Sequence, residues 1–223
     1  MTGILVEASL ETLAEAVAAE EAGAGRIELC ADLAQDGLTP APALVASLVA
    51  QLHVPVFMIV RPRAGGFVYA GDEFDVMLRD VRGAARSGLA GVVTGVLSAD
   101  DTVDAPRTRA LVEAAAPLPV TFHRAFDRVP DTLRALETLI DAGVARVLTS
   151  GGAPTALEGA ATIAALVRAA RERIAILAGG GVRAHNVRDV IALTGVREVH
   201  SRFVGATAME LLVDAVGSDL RRT

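Results

Sequence analysis

The feature that most restricts the fold is a rhythm. A short apolar, β-branched run, a turn, and an alanine- and leucine-rich stretch with helical spacing recur along the whole chain. The runs are Ile4–Val6, Arg26–Leu29, Val56–Val60, Gly91–Gly95, Val120–Phe122, Arg146–Thr149, Ile174–Ala178 and Glu198–His200. They are apolar throughout rather than alternating, as in parallel strands covered on both faces. Ile4 to Val199 spans 195 residues in seven intervals, about 28 per unit, room for a strand, a helix and two short loops. No Pro- or Ser-rich linker interrupts the series. Eight consecutive units predict an α/β fold, a closed (β/α)8 TIM barrel forming one domain over residues 1–223, rather than an open doubly wound sheet with fewer strands and longer helices.

The intervening stretches carry helix signals. Thr12-Leu-Ala-Glu15 reads as a capping box in a helix that stops at Gly23. Asp72 is expected to cap a helix that buries Phe74, Met77, Leu78 and Val81 and ends near Gly88. Asp104 with Pro106, and Asp131 before Leu133, Leu136, Leu139 and Ile140, mark two more starts. Thr155-Ala-Leu-Glu158 is a second capping box, and Gly205 to Leu220 makes a closing helix.

Composition removes several functions. The 223 residues are 52% hydrophobic, so disorder is excluded. The 21 Lys+Arg against 27 Asp+Glu leave a net charge of −6 with no basic stripe, and aromatics are 3%. Nucleic acid is therefore not an expected partner. No apolar run reaches the roughly 18 residues of a membrane span, and the first residues lack a signal-peptide pattern. A single cysteine cannot form an internal disulfide and suits a reducing, cytoplasmic setting.

In a (β/α)8 barrel, function sits at the C-terminal strand ends. Reading those ends gives Glu7, Glu28 and Cys30, Arg61 and Arg63, His123, Arg124 and Asp127, Ser150 and Gly151, Gly179-Gly180-Gly181, and His200. The opposite ends read as almost uncharged. Strand parity places Glu28 with Cys30, Arg61 with Arg63, and Thr121 with His123 on common faces. An ion-pair plug would account for any one of these residues; the set favours a pocket. Glycines after strands six and seven let backbone N–H groups approach an anion, although glycine also simply makes tight turns. Arg61 and Arg63 add cations suited to a carboxylate or phosphate. Cys30 reads either as a small buried hydrophobe or as a metal ligand with Glu28 and His200. Met58 and Met77 look like core, and His53 and His185 look like surface.

Together the segments Arg26-Ile-Glu-Leu-Cys30, Gly37-Leu-Thr-Pro40, Arg61-Pro-Arg63, Phe67-Val-Tyr69, Val93-Thr-Gly-Val96, Val120-Thr-Phe-His-Arg-Ala-Phe-Asp127, Leu148-Thr-Ser-Gly-Gly152, Gly179-Gly-Gly-Val-Arg183 and Glu198-Val-His-Ser201 resemble the CutC family. The resemblance runs in order from about Glu7 to Ser201. It implies a cytoplasmic (β/α)8 barrel, a homo-oligomer (dimer or tetramer), and a role in copper homeostasis with Cu(I) as the implied metal. The family commonly carries cysteine near the position of Ser9, and its serine pair after the last strand becomes Ser201-Arg202. Since Cu(I) prefers sulfur donors, Cys30 is left without an obvious thiolate partner.

Three functions follow. The resemblance implies copper handling, with Cys30 as the metal ligand. The strand-end residues by themselves suggest an enzyme for a small anionic metabolite, using proton transfer or lyase chemistry. Arg61, Arg63, Arg124, Ser150, Gly151 and Gly179–Gly181 would bind the anion, and Glu7, Glu28, His123, Asp127 and His200 would do the chemistry. A non-catalytic scaffold is the third.

Overall fold

The apolar runs pair side by side into a closed ring. The computed structural model describes residues 3–217. Its eight parallel strands follow one another in chain order around a closed barrel. They are β1 (Leu5–Leu10), β2 (Arg26–Leu29), β3 (Val56–Ile59), β4 (Gly91–Thr94), β5 (Val120–Phe122), β6 (Arg146–Thr149), β7 (Ala175–Ala178) and β8 (Glu198–Arg202). The helices are α1 (Leu13–Glu21), α2 (Pro42–Gln51), α3 (Gly71–Ala84), α4 (Ala105–Ala115), α5 (Thr132–Asp141), α6 (Ala160–Ala170), α7 (Val187–Thr194) and α8 (Ala206–Gly217). This is the expected single-domain (β/α)8 TIM barrel. None of its described helices is long and apolar enough to cross a membrane.

Three of the five signalled helix starts follow their side chains. Thr12 accepts the Glu15 N–H at 3.2 Å while Glu15 accepts the Thr12 N–H at 3.1 Å. Asp104 and Asp131 accept the N–H groups of Arg107 and Arg134, each at 3.0 Å. Such caps contribute about 1 kcal/mol each. Two starts differ from expectation. Asp72 lies inside the first turn of α3, whose cap is Ala70; Glu73 takes the Ala70 N–H at 2.7 Å. Thr155 and Glu158 do bond to each other, but they shape a turn ahead of α6, which begins at Ala160. The expected helix end at Leu220 lies outside the described residues.

Strand alternation divides the interior into two compartments. Outward residues such as Val6, Ile27, Met58, Val92, Phe122 and Val199 join the helices in a continuous annular core. Inside the ring the apolar content is small: Cys30, Phe57, Ile59 and Val93 form a separate cluster. The rest of the lumen is polar, and its lower part is an ion-pair network. Arg26 Nε donates to Glu7, and Arg26 Nη2 donates to Glu198 at 2.7 Å. Arg146 reaches the same Glu198 at 2.5 Å and also Thr121 at 3.3 Å. Phe57 lies between the guanidinium groups of Arg26 and Arg146, 5.0 and 5.4 Å from its ring centre. Gly91 makes room for that ring, because a Cβ there would meet Phe57 at 2.3 Å.

This floor corrects the expectation that the N-terminal strand ends are nearly uncharged. Arg26, Arg146 and Glu198 each open a strand. The ring tolerates them because each finds a partner on a neighbouring strand, as burial of charge requires. Glu7 is likewise not a strand-end residue: β1 continues to Leu10, and Glu7 sits mid-strand between Arg26 and His200.

Candidate active site at the barrel mouth

Above the floor the lumen opens into a cavity of about 460 Å³, a volume suited to a small metabolite. It gathers residues from all round the ring. Glu28 and Cys30 come from the end of β2, Arg61 follows β3, and His123, Arg124 and Asp127 follow β5. Gly180 and Gly181 follow β7, and His200 comes from β8. Arg183 and Arg202 also line it, and neither stood out in the sequence. The signal for Arg202 was available: it lies two residues after His200 on the same strand, hence on the same face.

Six expected site residues sit elsewhere or do something else: Glu7, Arg63, Ser150, Gly151, Asp127 and Gly179, the last spending its N–H on the Thr149 carbonyl at 3.0 Å. Glu7 lies beneath the cavity. Arg63 does not line it: β3 ends at Ile59, so strand parity does not carry to residue 63. The Arg63 guanidinium instead pairs with Glu73 and donates to the carbonyls of Gly66 at 2.9 Å and Val68 at 2.8 Å, clamping the loop before α3. Ser150 and Gly151 have their N–H groups occupied within the protein. Asp127 accepts from Ser150 N–H at 3.0 Å, Gly152 N–H at 3.2 Å and Thr149 Oγ1 at 2.5 Å, while Thr149 Oγ1 accepts from Gly151 at 2.8 Å. Arg124 completes the arrangement by pairing with Asp127 at 2.8 Å. Asp127 therefore locks the loop after β6 and orients Arg124, not His123.

The chemistry concentrates in Glu28, His200 and His123. His200 Nδ1 lies 2.7 Å from Glu7, and its Nε2 lies 3.7 Å from Glu28. Burial works against charge on Glu7, but the His200 hydrogen bond and Arg26 outweigh it and hold its pKa at about 2. Glu28 has burial and the Glu7 charge on one side, His200 and Arg26 on the other, and is pushed up to about 7. His200 is raised: burial opposes its charge, but the Glu7 bond and both carboxylates favour it. Glu28 thus titrates near neutrality beside a histidine favoured in its charged form. His123 is the opposite case. Burial and the nearby Arg61 cation lower it to about 3, so it is a neutral imidazole. Its Nδ1 accepts the Ala125 N–H at 3.2 Å, which puts the ring proton on Nε2, buried and without a partner.

Arg61 is 3% exposed, yet among the described residues it holds no carboxylate. Its guanidinium donates to three loop carbonyls, Gln35 at 2.5 Å, Gly37 at 3.0 Å and Gly65 at 2.9 Å, and its Nε is unpartnered. Arg183 and Arg202 likewise form no ion pair among the described residues. In a chain of net charge −6, unpaired cations are collected at the mouth.

Two donor sets bear on metals. Glu7, Glu28 and His200 bring ligand atoms within 4.8 Å of one another, but they offer oxygen and nitrogen, and Glu7 is committed to Arg26. Cys30 is the lone sulfur at the mouth. Burial, with Glu28 close by, pushes its thiol well above the usual range, and its Sγ donates weakly to the Glu28 carbonyl at 3.9 Å. Met58, Met77 and Met209 are in the annular core. The described residues therefore do not offer the paired sulfur donors that Cu(I) favours.

All 21 cationic residues are arginine; the sequence contains no lysine. Imine catalysis through a lysine amine is therefore excluded.

The family model described as the CutC family matches residues 4–205. A CutC family protein from Xanthomonas campestris pv. campestris is 45% identical over 223 residues, covering 98% of this chain and 93% of the relative. One from Caulobacter vibrioides is 46% identical over 202 residues, covering 91% and 82%. Among solved structures, the CutC of Streptococcus agalactiae, a protein named for copper homeostasis, superposes with a TM-score of 0.85 at 33% identity, covering 88% of this chain and 97% of that one.

Proposed function

The chain belongs to the CutC family, and from that premise we propose that its barrel mouth binds a small anionic carbonyl metabolite and moves a proton on the carbon beside the carbonyl. The observation that carries this reading is Arg61, a buried guanidinium lining the cavity whose partners among the described residues are three carbonyls and the Phe67 ring, with no carboxylate. A buried cation without a counter-ion is costly unless a ligand supplies one. Arg61 fixes the anionic or oxyanionic end of the substrate. His123, neutral and protonated on Nε2, donates to the developing enolate oxygen as an electrophile. Glu28, titrating near neutrality, takes the carbon-bound proton and exchanges it with solvent, while His200, held by Glu7 and favoured in its charged form, sits against the Glu28 carboxylate. The absence of lysine directs the mechanism to proton transfer rather than imine-based lysis.

The reading is tested by incubating the protein in D2O with small 2-oxo acids and phosphorylated hydroxy-ketones and following deuterium at the α-carbon by NMR. Exchange is expected for at least one compound, and its rate falls about 100-fold or more in Glu28→Gln. A panel in which none exchanges and none raises the melting temperature overturns the reading.

The family name brings copper with it. Copper handling is the second reading, and direct Cu(I) ligation is the form of it that the donor set opposes. Titration with Cu(I) under reducing conditions decides: affinity no tighter than that of an ordinary thiol, unchanged in Cys30→Ala, removes direct binding. Tight stoichiometric binding lost in Cys30→Ala restores it.

A further inference from the structure

The loops after β6 and β7 use the same device in two states. In the first, Gly151 and Gly152 have φ of 74° and 73°, and the amides around them point at the carboxylate of Asp127, itself paired with Arg124. An anion and its arginine are thus built into the protein. In the second, Gly180 and Gly181 have φ of 101° and 71°, conformations that glycine adopts without strain. Their carbonyls are tied back, Gly180 to the Ala156 N–H at 2.8 Å and Gly181 to the Asn186 amide at 2.9 Å. Asn186 also holds the Arg183 N–H at 2.8 Å, so the loop is braced from both sides. The N–H groups of Gly180 and Gly181 have no acceptor among the described residues. Both glycines line the cavity, and so do Arg183 and Arg202, which have no carboxylate. Among the described residues, no carboxylate does for this loop what Asp127 does for the other.

A second observation, independent of loop shape, points to a ligand in the same cavity: Arg61, 97% buried by its 3% exposure, keeps an unpartnered Nε. One cavity therefore has two anion-seeking ends. Arg61 and His123 stand at one, and Gly180, Gly181, Arg183 and Arg202 at the other. We infer that the loop after β7, with Arg183 and Arg202, is a phosphate subsite, and that the metabolite is a phosphate monoester carrying its carbonyl at the Arg61–His123 end. This rests on the reading of the mouth given above and narrows its substrate class. Phosphate is favoured over a second carboxylate because two backbone amides and two guanidinium groups approach from different elements. A tetrahedral dianion can accept from all of them, whereas a planar carboxylate cannot.

Isothermal titration of the full chain with glycolaldehyde phosphate, glycolaldehyde, glyoxylate and inorganic phosphate tests it. Glycolaldehyde phosphate is expected to bind at least about tenfold tighter than glycolaldehyde, the yield of one charge-assisted contact or more. That advantage should disappear in Arg183→Gln and shrink in Arg202→Gln. Arg202 is exposed and forms no ion pair, so its variant keeps the test open if Arg183→Gln does not fold. Equal binding of the phosphorylated and unphosphorylated aldehydes overturns the subsite and leaves the proton-transfer reading standing. Inorganic phosphate binding that depends on Arg183, with no carbonyl compound bound and no deuterium exchange, supports the subsite and overturns that reading instead. Binding of none of the four overturns the subsite.

Discussion

The floor and the mouth of this barrel are built from the same residue types and behave oppositely. On the floor, Arg26 and Arg146 face Glu7 and Glu198, and every guanidinium meets a carboxylate. At the mouth, Arg61 meets three carbonyls and the Phe67 ring but no carboxylate among the described residues. Charge inside a barrel is therefore not in itself the mark of a site; the informative quantity is whether the protein supplies the partner. A paired floor is a structural plug with a settled protonation state, whereas the mouth arginines that have no carboxylate among the described residues, Arg61, Arg183 and Arg202, leave free energy to be gained from a ligand.

Breaking the floor should give the largest effect. Arg26→Met leaves Glu7 buried beside His200 without its guanidinium and removes one partner of Glu198, so chemical denaturation should show a loss of about 3–5 kcal/mol. A variant as stable as the parent would mean that the floor is hydrated and not a plug. At the mouth, Glu28→Gln is expected to leave the fold intact while lowering proton exchange about 100-fold or more; equal loss of fold and exchange would erase the distinction between the regions.

Glu7 on the floor and Glu28 at the mouth should also respond to pH with opposite signs. Glu7, lowered to about 2, stabilises the fold above its unfolded value of 4.5, and that contribution is lost as pH falls from there. His123, lowered to about 3 from 6.5, adds to the acid-side loss. Glu28 is raised from 4.5 to about 7, so its contribution is complete below 4.5 and is lost as pH rises toward 7. Denaturation curves at several pH values should show Glu28→Gln becoming more stable relative to the parent between pH 4.5 and 7. No relative change in that window would place Glu28 in an ordinary hydrated environment. The smallest effect belongs to Arg202→Gln, whose melting should stay within about 0.5 kcal/mol of the parent; a larger drop would mean that Arg202 is part of the structure after all.

Much of the fold was legible because strands covered on both faces must be apolar along their whole length, and eight such runs at a constant spacing leave few alternatives. The floor was not read, although its signal was present: Arg26 is two residues from Glu28, so a face assigned to one belongs to the other. Parity failed at Arg63 for a physical reason, since alternation ends with the ladder at Ile59. The occupancy of the loop after β6 was beyond local reading. It depends on Asp127 reaching residues more than twenty positions away, and spacing alone does not separate an amide that already has its anion from one that lacks it. His123 was recognised as a site residue, but its neutrality comes from Arg61 and burial, which only the closed ring brings together.

The sealed floor has a consequence for traffic. With Glu7, Arg26 and Phe57 each exposed by less than 5%, the lumen is a well with one opening rather than a corridor. Whatever reaches Glu28 has to leave past the same arginines that drew it in. A product that keeps its negative charge therefore leaves against that attraction, and it blocks the next arrival until it does.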